Sequence, residues 1–153
     1  MDNEWNQRRQ QNGSFSKSQE AKPAFKLSEL NEKTYVEKAE HVVNVHKQFN
    51  SKKPITMTQM RNLLELMSVL RERLRTDRRS ELDDEMVSQV QYIKLRFVYA
   101  AGRDTDQKGV RDFIIQSQLI ECLDTVKNSA GQFEFVCKYM EALVAYHKYL
   151  IGK

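Results

Sequence analysis

The chain has 153 residues, 40% hydrophobic and 30% charged, with five glycines and two prolines; this is one domain's length, and the composition favours long helices over a turn-rich sheet. Twenty-five cations against 21 anions leave a net charge of +4 and a pI near 9.0, a densely mixed surface that permits a nucleic-acid partner without requiring one. No stretch approaches about 18 uncharged apolar residues and the amino terminus lacks an apolar leader core, so neither secretion nor membrane insertion is supported and a cytoplasmic, all-α protein is expected.

Residues 1–27 are rich in Gln, Asn, Ser and Lys, with Trp5, Phe15 and Phe25 isolated among polar neighbours. So little apolar surface does not offset the entropy of ordering, which predicts a disordered polar tail followed by a single helical domain over 28–153. Trp5 reads as a solvated residue rather than a docking anchor. From Ser28, a candidate cap, Leu30, Tyr35, Val36, Ala39, Val42, Val43 and Phe49 recur at helical spacing, predicting a first helix over about 28–48. In NSKKPITM, Pro54 disfavours helix at Lys53 and leaves Lys52 and Lys53 in an exposed basic loop.

Thr56 or Thr58 caps a second helix, in which Met60, Leu63, Leu64, Met67, Leu70 and Leu74 form the apolar stripe and Arg61, Glu65, Ser68, Glu72 and Arg75 the opposite face. The methionines read as core filling. RTDRRSELDD breaks the pattern and offers Ser80 or Asp83 as cap for a third helix to about Ala101, with Gly102 as its stop. The second half of that helix is apolar nearly all round: Ile93, Phe97 and Ala100 line one side, and Leu95, Val98 and Tyr99 another. This predicts a place at the centre of a bundle, with Lys94 and Arg96 reaching out along packed stems. Arg96 and Arg103, seven residues apart, point from one side about 10 Å apart, a spacing that suits carboxylates or a chain of phosphates.

RDTDQKG reads as a loop. Val110, Phe113, Ile114, Leu119, Ile120, Leu123 and Val126 predict one continuous fourth helix, and Lys127 to Gly131 a break. A fifth helix over 132–150 carries Phe133, Val136, Met140, Leu143, His147 and Leu150 on one stripe, and Glu134, Lys138, Glu141 and Lys148 on the other. The expected architecture is a compact bundle of about five helices.

Catalytic motifs are absent: there is no GxSxG, P-loop, HExxH or dinucleotide fingerprint. A non-enzyme without cofactor or metal is the expectation. His41 and His46, five residues apart, point about 140° apart on a helix and make poor co-ligands. His147, on an apolar stripe among Tyr139, Tyr146 and Tyr149, reads as a satisfied core histidine. Cys122 and Cys137 read as buried, reduced thiols. Lys52 and Lys53, Arg61, the run Arg71, Arg73, Arg75, Arg78, Arg79, and the set Lys94, Arg96, Arg103 could build a phosphate-tracking surface. Glu65, Glu72, Asp77, Glu81, Asp83 and Asp84 are interleaved with them, and a solvated mixed helix face is the competing reading.

Three stretches, ITMTQMRN (55–62), YIKLRFVYAAGR (92–103) and CKYMEALVAYHKY (137–149), together resemble the small subunit of type III-A CRISPR-Cas effector complexes, the Csm complexes. The resemblance spans about residues 28–151. It implies an all-helical, non-catalytic subunit in an antiviral complex. Several copies would stack as an inner filament beside the backbone subunits, along the channel where guide RNA and target RNA pair, with cleavage left to the backbone and large subunits. Carried over by motif, it implies RNA contacts by Arg61 and Arg103 first, then Lys94 and Arg96, with Lys52 and Lys53 as the basic loop. Gln59 takes a place often held by a cation, and Ala100 that of the acidic residue in a YEAGR-like run, which removes a salt-bridge partner. Tyr146 and Lys148 would serve RNA or the next subunit. Such binding needs phosphate contacts rather than base readers, because base pairing supplies the specificity. The alternatives are a helical protein–protein adaptor that never meets RNA and, with less support, a helix-turn-helix DNA binder.

Overall fold

The computed structural model describes residues 20–103 and 108–152. Among these, a 3-10 turn at Leu27–Glu29 precedes six helices: α1 (Tyr35–Phe49), α2 (Met57–Asp77), α3 (Asp84–Arg103), α4 (Gly109–Ser117), the short α5 (Leu119–Asp124) and α6 (Ala130–Leu150). No strand occurs among them, only an isolated bridge between Glu81 and Ser129, so the all-α expectation holds.

The tail expected over 1–27, with Trp5 and Phe15, lies outside the described residues as far as residue 19. From there the chain already touches the bundle. Ala24 N–H donates to the Gln116 carbonyl at 3.0 Å, Gln118 Nε2 donates to the Phe25 carbonyl at 2.6 Å, and the Phe25 ring stands edge-on to Tyr139, centroids 6.2 Å apart. The packed domain therefore starts before Ser28. Helix α1 starts later than predicted, because Asn31 and Thr34 hold the chain in a turn: Lys33 N–H donates to Asn31 Oδ1 at 2.8 Å, Asn31 N–H to Thr34 Oγ1 at 3.0 Å, and Thr34 Oγ1 to the Glu29 carbonyl at 2.6 Å. Local side-chain bonds of this kind compete with a helical start.

Thr56 caps α2 in a reciprocal capping box with Gln59. Asp83 caps α3 by accepting from Met86 N–H at 2.8 Å; that bond, with Arg79 and Arg73 nearby, holds its carboxyl below the usual range. Gly102 does not stop α3, which runs on to Arg103.

The predicted central place of α3 is not observed. Only Met86, Val90, Ile93 and Phe97 on it are buried, a single stripe against α2, α4 and α5, while Tyr92, Leu95, Val98 and Tyr99 are exposed. The centre belongs to α6, which packs on α1, α2 and α5 and buries Phe133, Phe135, Val136, Cys137, Tyr139, Met140, Leu143 and His147. The predicted fourth helix is two, parted at Gln118 in the left-handed conformation (φ 58°). Groups from elsewhere take up the backbone at the break: the Gln116 carbonyl accepts from Ala24, and the Ser117 carbonyl accepts from the Tyr139 hydroxyl at 2.8 Å. Buried carbonyls need such partners, and these replace the helical ones.

Candidate nucleic-acid interface

The amino end of α2 faces the last turns of α3 across an open cleft of about 510 Å³, where Gln59, Asn62 and Glu65 meet Arg96, Tyr99 and Arg103. Gln59 and Asn62 add side-chain amides opposite the two guanidinium groups, and Glu65 on the rim adds one carboxylate. Arg96 and Arg103 are exposed and have no ion pair among the described residues. They are the two predicted site residues that the fold brings together. Arg61 is exposed but lies off this cleft, while Lys52 and Lys53 are exposed in the loop leading into α2. Lys94 points elsewhere and pairs with Asp124 on α5 at 2.6 Å.

The arginine run of α2 mostly faces carboxylates. Arg71 bonds Glu134 through Nε and Nη2, at 2.7 Å for the latter, and also pairs with Glu141. Arg75 shares Glu134 at 3.3 Å, Arg73 pairs with Glu85 at 3.3 Å, and Arg79 with Asp83 at 2.9 Å. The hydrogen bond from Arg71 holds the Glu134 carboxyl below the usual carboxylate range and, reciprocally, raises the guanidinium. Arg78 sits in the left-handed cap that ends the helix (φ 53°). Four cations of this run are thus paired with carboxylates, the arrangement that a mixed helix face presents.

Sequence reasoning missed Asn62 and Tyr99 in the cleft. Tyr92, Arg96, Tyr99 and Arg103 follow one another at i, i+4, i+7 and i+11, one helical face, and that spacing was the available signal.

Behind the basic loop lies a polar cluster. His46 and His147 are both fully buried and bond opposite sides of one residue: Ile55 N–H donates to His46 Nε2 at 2.9 Å, and His147 Nε2 lies 2.6 Å from the Ile55 carbonyl. Burial lowers both imidazoles, His46 to about 4, where neighbouring His147 adds a further lowering. His41 is instead exposed, with its ring nitrogen 3.1 Å from the Ala24 carbonyl. Cys122 and Cys137 are free and buried, each thiol pushed up to about 12 by desolvation. No group of three metal-ligating side chains occurs among the described residues, nor is any helix there long and apolar enough to cross a membrane.

Residues 29–153 match the family model described as Csm2 Type III-A. The chain belongs to the Csm2 type III-A family. A "CRISPR system Cms protein Csm2" of Streptococcus thermophilus is 38% identical over 125 residues, covering 81% of this chain and 97% of its own length. A protein of the same description from Mycobacterium tuberculosis is 35% identical over 119 residues, covering 78% and 93%, and one from Enterococcus italicus 34% identical over 97 residues, covering 62% and 67%. This Csm2-family chain is thus a small subunit of a type III-A CRISPR-Cas complex, as the three sequence stretches implied.

Proposed function

We propose that this subunit is non-catalytic and acts in the cytoplasm. Several copies stack as an inner filament against the backbone and large subunits and hold guide RNA and target RNA by their phosphates. One observation carries the RNA reading: Arg96 and Arg103 share a cleft at the amino end of α2 without an ion pair among the described residues, while most of the arginine run next door faces carboxylates. Arg61, Lys52 and Lys53 are exposed outside the cleft and offer further cations; Lys94, paired with Asp124, contributes least. A few phosphate contacts are weak and salt-sensitive singly, and repetition along a filament multiplies them. The free chain therefore binds RNA poorly at physiological salt, and tight stoichiometric binding by the lone protein contradicts the proposal.

The test is charge reversal in the assembled complex. Arg103→Glu or Arg61→Glu lowers retention of a guide-complementary target RNA while assembly persists. Failure of assembly with RNA affinity intact supports the second reading, a protein–protein adaptor, which draws on the exposed Tyr92, Leu95, Val98 and Tyr99 of α3.

A further inference from the structure

The base of the loop between α1 and α2 is fastened at three points, although Ser51, Lys52 and Lys53 stand in solvent. At its start Asn50 Nδ2 donates to Asp112 Oδ2 of α4 at 2.8 Å. In its middle α4 begins so close that a Cβ on Gly109 would lie 2.9 Å from the Lys53 carbonyl oxygen and 3.1 Å from Ile55 N, so only glycine fits there without displacing backbone. At its end Ile55, fully buried, is held from both sides by His46 and His147.

The two bonds dictate opposite tautomers. A backbone N–H can only donate, so His46 Nε2 carries the lone pair and its proton is on Nδ1, donated to Gln116 Oε1 at 2.8 Å. A carbonyl can only accept, so the His147 proton is on Nε2.

We propose that His46 and His147 are positioning residues: by clamping the Ile55 backbone they fix the direction in which Lys52 and Lys53 project and the point where Thr56 starts α2. The RNA consequence of this clamp rests on the function proposed above. A mere core role would accept any apolar side chain of similar size, whereas a clamp needs an acceptor at position 46 and a donor at 147. Glutamine offers both, because its terminal amide reaches about as far as Nε2 and carries an oxygen and an N–H.

The decisive experiment follows the full-length chain by nitrogen-detected imidazole spectra, by exchange of the Ile55 amide, and by trypsin cleavage after Lys52. His46→Leu is compared with His46→Gln, and His147→Leu with His147→Gln. At neutral pH the wild type shows His46 protonated on Nδ1 and His147 on Nε2. The leucine variants raise Ile55 exchange and cleavage after Lys52 about tenfold to a hundredfold, the scale of a buried hydrogen bond left unmade. Met140, deep in α6, exchanges as before, and the glutamine variants return close to wild type. The same tautomer on both rings, unchanged Ile55 exchange, or acceleration spread equally to Met140 overturns the clamp; if a leucine variant does not fold, the tautomers and the glutamine variants still decide. In the assembled complex, Lys52→Ala/Lys53→Ala lowers retention of a complementary target RNA, and His46→Leu lowers it less. If the lysine pair has no effect, the RNA role of the loop falls while the clamp stands; if the lysines matter and a loosened loop does not, positioning is overturned.

Discussion

Two regions that carry arginines meet opposite fates. Arg71, Arg73 and Arg75 at the carboxyl end of α2, and Arg79 just beyond it, face Glu134, Glu141, Glu85 and Asp83, whereas Arg96 and Arg103 at the end of α3 look across a cleft at the first turns of α2. Residue type does not separate them. The difference lies in what the opposite element presents, since α6 and the start of α3 bring carboxylates to one group and the amino end of α2 brings no carboxylate but Glu65 to the other. A cation that already has a partner must be stripped of it before it meets a phosphate, so under the proposed function Arg96 and Arg103, without an ion pair among the described residues, are the more available cations.

The largest effect expected is from reversing that pair. Arg96→Glu/Arg103→Glu in the assembled complex weakens target-RNA binding roughly a hundredfold or more, and neutralising each arginine flattens the slope of log K against log salt by about 1; titrations at several salt concentrations check both. Equal loss from reversing Arg73 and Arg75 would erase the distinction between the regions.

The uncharged polar core offers a third environment, read by pH. His46 is depressed to about 4 in the folded chain against about 6.5 unfolded, and His147 shifts the same way. Between these values the unfolded chain binds more protons, so stability is complete above about pH 6.5 and falls as pH drops, by on the order of 3 kcal/mol for His46 alone at pH 4. Denaturant midpoints from pH 7 to 4 measure this, and His46→Gln flattens the profile.

Arg71→Ala sharpens the contrast from the paired side. Its side chain is 13% exposed; Glu141 loses its partner and Glu134 keeps only Arg75, so unfolding experiments should show a loss of about 2 kcal/mol, with RNA retention in the complex unchanged. The smallest effect belongs to Lys94→Ala, which removes a half-exposed pair with Asp124: about 0.5 kcal/mol or less and no measurable change in RNA retention.

Much of the fold was legible because it is written in local periodicity. Of the stripe Met60, Leu63, Leu64, Met67, Leu70, Leu74 all but the half-buried Leu64 are buried, and of the stripe Phe133, Val136, Met140, Leu143, His147, Leu150 all but the half-buried Leu150. What failed did so where a distant group intervened. Gln118 reads as one more helical position until Ala24 and Tyr139 take the carbonyls beside it. The second half of α3 reads as central because it is apolar nearly all round, but α2, α4 and α5 cover only one stripe. In the site, Arg96 and Arg103 were visible from their seven-residue spacing, whereas the pairing of Lys94 with Asp124 joins residues 30 positions apart, beyond any local pattern.

The sequence by itself determined that this chain is helical, that Thr56 and Asp83 were among its candidate caps, which stripes are apolar, and, through three motifs, the family to which it belongs. The helices, caps and stripes depend on backbone hydrogen bonding and side-chain spacing within about four residues. Only the tertiary structure decided which helix is central, which cations are neutralised, and that His46 and His147 grip one peptide from opposite sides. Each of these turns on a partner remote in the chain, and electrostatic and hydrogen-bond energies depend on distance in space.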